Sequence, residues 1–244
     1  MDRFTRTASR FNLRTLLNFN DIDKDIQLHL KNVYSTLTLG LMVAAAAAYA
    51  FMLSPVLQSM TTTVAVLSFI STVGSMLYIL FKEHSYENIS ARLTAFAIFA
   101  FGTGLGLGPL VWTVAAINPD TIPTALLGTA LIFVSFTLAS LFTRKRYFLF
   151  IGAILMTSIS MLSTFSFMNL FIRSPALYQA ELYIGLGIFC LFIIFDTQLM
   201  VEKRRSGDTD FIWHALDLFV DFVSIFRHLL VILNSKKNRR NNEE

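Results

Sequence analysis

Apolar positions in this chain fall in long, nearly unbroken runs, without the two-residue or 3.6-residue alternation of half-buried elements. The runs cover about residues 33–53, 62–81, 93–117, 122–142, 147–170, 180–201 and 211–233. Each approaches the ~20 residues that carry a helix across a bilayer core. The prediction is an all-α, polytopic membrane protein. A seven-helix bundle occupies 33–233, after a cytosolic basic segment over 1–32 and before a basic tail over 234–244. The first six spans are plain by hydropathy. The seventh holds Asp217, Asp221, Arg227, His214 and His228, so its status depends on where those charges face.

Composition removes the soluble alternative. Hydrophobic residues make up 55% of the 244 and charged residues only 15%, against roughly 25% charged in a soluble domain. A net charge of +4 could suit nucleic acid, but Lys and Arg sit in connections and tails, so no nucleic-acid partner is expected. The N-terminal stretch interleaves Phe4, Phe11, Leu13, Leu16, Leu17 and Phe19 with Arg3, Arg6, Arg10 and Arg14. It reads as a partly amphipathic segment on the lipid surface, with no cleavable signal peptide. Cys190, the one cysteine, has no disulfide partner and is expected to pack as a small hydrophobe.

Orientation follows from where Lys and Arg fall. Arg3, Arg6, Arg10, Arg14, Lys24 and Lys31 precede the first span. Lys82 and Arg92, then Arg144, Lys145 and Arg146, then Lys203, Arg204 and Arg205 occupy alternate connections. The opposite connections carry only Arg173, so the N-terminus is expected in the cytosol. The sequon Asn88-Ile89-Ser90 then lies on the cytosolic side and stays unglycosylated. The tail conflicts with this frame. Seven full spans put Lys236, Lys237, Arg239 and Arg240 on the far side, whereas a re-entrant last segment would return them. Hydropathy favours the full span and charge favours re-entry.

Gly102, Gly104, Gly106 and Gly108, followed by Pro109, form two interleaved G-x-x-x-G pairs. Their spacing is wrong for a dinucleotide fingerprint. In a membrane helix such pairs permit close packing, and Pro109 permits a kink that could serve a pore-lining hinge.

A charge near the bilayer centre costs at least about 2.5–3.5 kcal/mol, which makes intramembrane ionisable residues functional candidates. Asp196 lies late in the sixth span, with Asp217 and Asp221 in the seventh. On a helix, His214, Asp217, Asp221, Ser224 and His228 share an arc of roughly 80°, and Arg227 points elsewhere. A short connection makes the two spans antiparallel neighbours. At 1.5 Å per residue Asp196, Asp217 and Asp221 sit about 8, 9 and 15 Å from the same side. Close carboxylates in low dielectric cannot all ionise comfortably, and their protons belong to the group. They could serve as a pH-sensitive latch or as hard oxygen ligands for Ca²⁺; the plain alternative is a protonated pair that joins two helices. His214 and His228 would tune the titration or simply pack.

At these residues the sequence resembles the Bax inhibitor 1 family. The resemblance runs from His29-Leu30-Lys31-Asn32-Val33-Tyr34 through Gly104-Leu-Gly106-Leu-Gly108-Pro109, Asn118-Pro119 and Pro123-Thr-Ala-Leu-Leu-Gly128-Thr129-Ala130. It continues in Phe195-Asp196-Thr197-Gln198, Trp213-His214 and Asp217-Leu-Phe219-Val-Asp221-Phe222. It is most like the founding branch of the endoplasmic reticulum. The resemblance implies a seven-helix, multi-pass protein of the reticulum membrane that passes Ca²⁺ in a pH-sensitive leak and suppresses cell death. Its aspartate pair maps onto Asp196 and Asp221, which the transported Ca²⁺ would meet, with Asp217 an added acid. Arg92 is the residue nearest to the arginine that holds the pair in bacterial members, although its register departs from that pattern. Glu181 has no family role. The implied partners are membrane lipid, Ca²⁺, protons, Bcl-family proteins and other reticulum membrane proteins; no cofactor is implied.

Two other classes compete. A non-transporting adaptor would inhibit cell death by binding Bcl-family proteins or other channels through its tails. An intramembrane aspartyl protease would need Gly-x-Gly before its second aspartate and Pro-Ala-Leu after it. Here Ala215-Leu216 precede Asp217, and Pro175-Ala176-Leu177 precede Asp196. No enzyme is expected.

Overall fold

The computed structural model describes residues 24–142 and 151–243. The surface segment read over residues 1–23 and the basic connection Arg144, Lys145 and Arg146 lie outside these residues. Among the described residues the chain is helical, without strands: α1 Lys24–Leu53, α2 Pro55–Ser59, α3 Thr61–Phe81, α4 Ile89–Ile117, α5 Thr121–Phe142, α6 Gly152–Ile172, α7 Pro175–Arg205 and α8 Phe211–Glu243. A short 3₁₀ turn, Tyr86–Asn88, leads into α4. Helices α1 and α3 to α7 are long and apolar enough to cross a membrane.

The first boundary moves. Residues 24–32, read from sequence as a surface segment, are the first turns of α1. Ile26, His29, Leu30, Val33, Leu37 and Gly40 are buried, a 3–4-residue spacing that starts well before the apolar run does.

The end moves too. Helix α8 is continuous over 33 residues, and its contacts fix where its far end lies. Arg92, near the start of α4, pairs with Asp210 just before α8. Asn118, just past the end of α4, donates from Nδ2 to Asn234 Oδ1 at 3.0 Å and Asn238 Oδ1 at 2.5 Å. Lys237 pairs with Asp120 at 3.6 Å. Helices α4 and α8 therefore run parallel from one end of the bundle to the other. Re-entry is overturned, and the basic tail is the last part of α8 at the end opposite Arg92.

Helix α8 survives its charges because it lies in the middle of the bundle, against α1, α4, α5 and α7. Its apolar side, expected to be spread around the rest of the helix surface, is buried as well: Ile212, Ala215, Leu216, Leu218, Phe219 and Ile225 are nearly inaccessible, whereas Val220 is 40% exposed. A helix buried on most sides needs no lipid-facing stripe. Helix α6 packs chiefly on α7. It buries few hydroxyls, and Thr157, Ser158, Ser160, Ser163 and Thr164 donate to their own i−4 carbonyls, which satisfies them in an apolar setting.

The glycine run serves two partners. A Cβ at Gly104 would fall on the backbone of Ala44, and one at Gly108 would lie 2.5 Å from the Phe51 ring, both in α1. A Cβ at Gly102 would meet Ser71 and Thr72 of α3, and Gly106 faces Ser68 of α3 at 3.7 Å. Each G-x-x-x-G pair thus faces a different helix. Pro109 lies inside α4, which continues to Ile117.

Candidate functional site

The turn between α7 and α8 sets the site. Helix α7 closes with Gly207 at φ 97°; its N–H donates to Arg204 O and that of Asp208 to Lys203 O, at 3.1 and 3.0 Å. This is a Schellman closure, whose left-handed position favours glycine. Asp208 Oδ1 then accepts from the Asp210 N–H at 2.8 Å, and Asp210 Oδ1 accepts from the Trp213 N–H at 3.1 Å, capping α8. Two helices closed this tightly run back antiparallel. At 1.5 Å per residue, Asp196 lies about 14 Å from the end of α7 and Asp221 about 15 Å into α8. The matched depth brings them together.

The Asp196 and Asp221 carboxyls face each other across the α7–α8 seam, close enough for one to donate to the other when protonated. Carboxylates only accept, so this contact needs a proton on one of them. Asp221 is 3% exposed, and its Oδ2 is buried without a hydrogen-bond partner. Asp217, one turn nearer the α7–α8 connection, is within electrostatic range of both. Lys203, two turns along α7 from Asp196, faces Asp196 and Asp217 with the opposite charge. Among the described residues no group of three or more His, Cys, Asp or Glu side chains is placed to hold a metal ion. A resident Ca²⁺ wants six to eight oxygens.

The other sequence candidates lie elsewhere. Arg92 does not reach the aspartate pair; it is one turn inside α4, at the end of the bundle where α8 begins. Its guanidinium, 2% exposed, donates from Nη2 to Asp210 Oδ2 at 2.6 Å and to Ile79 O at 3.2 Å. From Nη1 it donates to His84 Nδ1 at 2.7 Å. His214 leaves the carboxylate group for His29 of α1, with Nε2 of His29 and Nδ1 of His214 3.0 Å apart; Asp208 Oδ2 is 4.0 Å from His214 Nε2. Burial by itself would raise the Asp208 carboxyl, but the Asp210 N–H, with His214 and Lys203 beside it, outweighs burial and holds it below the usual carboxylate range. His228 lies farther along α8 and donates from Nδ1 to Ser224 O at 2.6 Å. Arg227 is exposed, as its angle on the helix predicts. Sequence reasoning missed the roles of His29, Asp210 and Lys203. For His29 the signal was present in its spacing with Ile26 and Val33.

A family model described as inhibitor of apoptosis-promoting Bax1 matches residues 26–238. Bax inhibitor 1 from Homo sapiens is 43% identical over 235 residues, covering 96% of this chain and 97% of that protein. The Sus scrofa protein of the same name matches with the same identity and coverage. Bax inhibitor 1 from Arabidopsis thaliana is 36% identical over 220 residues, 90% of this chain and 85% of that one. The chain therefore belongs to the Bax inhibitor 1 family of multi-pass membrane proteins.

Proposed function

We propose that this chain is a pH-sensitive calcium leak of the endoplasmic-reticulum membrane that restrains cell death, with its N-terminus in the cytosol. The observation that carries the reading is the facing of two carboxyls, Asp196 and Asp221, within the bundle, with Asp221 3% exposed and its Oδ2 unpartnered. When the pair holds a proton, the two helices are joined at that depth. When the proton leaves, two facing carboxylates repel each other and offer oxygens to a divalent cation. One group thus both closes the seam and binds the cargo. Asp217 adds acidic character, and Lys203 brings a positive charge within electrostatic range of Asp196 and Asp217. The role in cell death extends to this chain what the name Bax inhibitor 1 says of its relatives, with Bcl-family proteins and other reticulum membrane proteins as partners. Ca²⁺ efflux from proteoliposomes holding the full chain, followed against pH for wild type and Asp221→Asn, tests the gate. An unchanged pH profile in the variant would overturn it.

A further inference from the structure

Glu181, without a role in the reading above, sits six residues into α7, at the end opposite the aspartates. Ser166 of α6 donates its hydroxyl to Glu181 Oε1 at 2.6 Å. One turn farther along α7 is Gly185, and there the His228 ring of α8 comes in: a Cβ on Gly185 would stand 2.6 Å from His228 Nε2 and 3.1 Å from Leu162 of α6. The glycine makes room for the imidazole. Because His228 Nδ1 already donates to Ser224 O, Nε2 of the neutral ring carries the lone pair. That nitrogen is turned toward α7, and Glu181 lies within electrostatic range of it. Arg227 on α8 is the other charged group acting on this imidazole.

Along the same seam the Phe189 ring stacks beside His228, with centroids 5.4 Å apart, and beside Phe192 at 6.2 Å. Phe192 in turn contacts Phe195, next to Asp196, at 6.4 Å. Aromatic rings therefore stand between two polar groups on one helix pair: Asp196 and Asp221 toward one end, Glu181 and His228 toward the other.

The geometry points to Glu181 and His228 as a second proton station on the α7–α8 seam, through which the leak senses pH from the compartment at the Ser166 end. A proton taken from water onto His228 Nε2 makes an imidazolium. Its Nδ1–H keeps the Ser224 carbonyl, and the Glu181 carboxylate, within electrostatic range of the ring, compensates the new charge. The flux consequence rests on the calcium-leak reading; the station itself does not.

The test is Ca²⁺ efflux from oriented proteoliposomes of the full chain, with each face buffered separately between about pH 7.5 and about pH 5.5, on either side of the ordinary imidazole value. Wild type is expected to respond to pH on both faces. His228→Gln and Glu181→Gln should lose the response on the Ser166 face and keep it on the other, and Asp221→Asn should do the reverse. Gly185→Ala, which removes no titratable group but displaces the ring, should match His228→Gln. A Ser166-face response that persists at wild-type size in His228→Gln and Glu181→Gln would overturn the station. An aspartate-face response untouched by Asp221→Asn would instead overturn the gate proposed above and leave the station standing.

Discussion

Asp210→Asn and Arg92→Met probe the clamp that ties α4 to the start of α8. Arg92 is 2% exposed and Asp210 20%, with 2.6 Å between Nη2 and Oδ2. Two unit charges about 4 Å apart attract by about 4 kcal/mol at an effective dielectric near 20. Removing one partner of a buried pair costs about 3–5 kcal/mol, because the other charge is stranded. Asp210→Asn keeps an oxygen to accept from Trp213 N but leaves the guanidinium with only Ile79 O and a histidine, so a loss of about 3–4 kcal/mol is expected. Arg92→Met leaves a carboxylate that still reaches water, and the loss is smaller, about 2–3 kcal/mol. With both changes no charge is stranded, and the double variant should fall short of the sum by about 2–3 kcal/mol. Reversible unfolding in mixed micelles, read by the fluorescence of Trp213, measures all four states. Losses that add to within about 0.5 kcal/mol would refute the clamp as a coupled pair.

The interleaved glycines separate in the same assay. Gly104→Ala should destabilise by about 1–3 kcal/mol because its Cβ meets the Ala44 backbone, whereas Gly106→Ala, with 3.7 Å of room, should be neutral or gain up to about 1 kcal/mol of helix propensity. Asp208 sits below the usual carboxylate range when folded, so its contribution is full above the unfolded value near 3.9 and is lost as pH falls through the lower folded one. Since its side chain is 38% exposed, Asp208→Asn should cost less than about 1 kcal/mol at neutral pH. The gap to wild type should narrow as pH falls below the unfolded carboxyl value, as unfolding followed against pH would show. In a Cys190→Ala background, cysteines placed at Asp120 and Ser235 should react with an impermeant thiol reagent from one face of the membrane, and a cysteine at Glu83 from the other. Shared labelling of Ser235 and Glu83 would contradict the full crossing of α8.

The aspartates were legible in sequence because a carboxylate in an apolar run is an outlier that hydropathy exposes. Helical arithmetic placed Asp196 level with Asp217 and Asp221 deeper by about 6–7 Å; the extension of α7 to Arg205 is what brings Asp196 level with Asp221. The Gly102–Gly108 run likewise announced close packing, but which helix each glycine faces depends on tertiary neighbours that spacing cannot name. The last helix stayed open between a full span and re-entry for a physical reason. Asp217, Asp221 and the basic residues after Leu233 argue against a span if every span must face lipid, and α8 faces protein on nearly all sides. Arg92 and Asp210 lie 118 residues apart. Arg92 reads in sequence as a connection charge and as the nearest candidate to hold the aspartate pair, Asp210 draws no role, and only the packing of α4 beside α8 makes them partners.

Calcium efflux against pH, with Asp196→Asn and Asp221→Asn beside wild type, tests the shared proton most directly. Either amide removes the shared proton while allowing a hydrogen bond across α7 and α8, so with the Ser166 face held at a fixed pH both variants should give one flux level whatever the pH of the aspartate face. A wild-type pH profile in either would contradict gating by this pair.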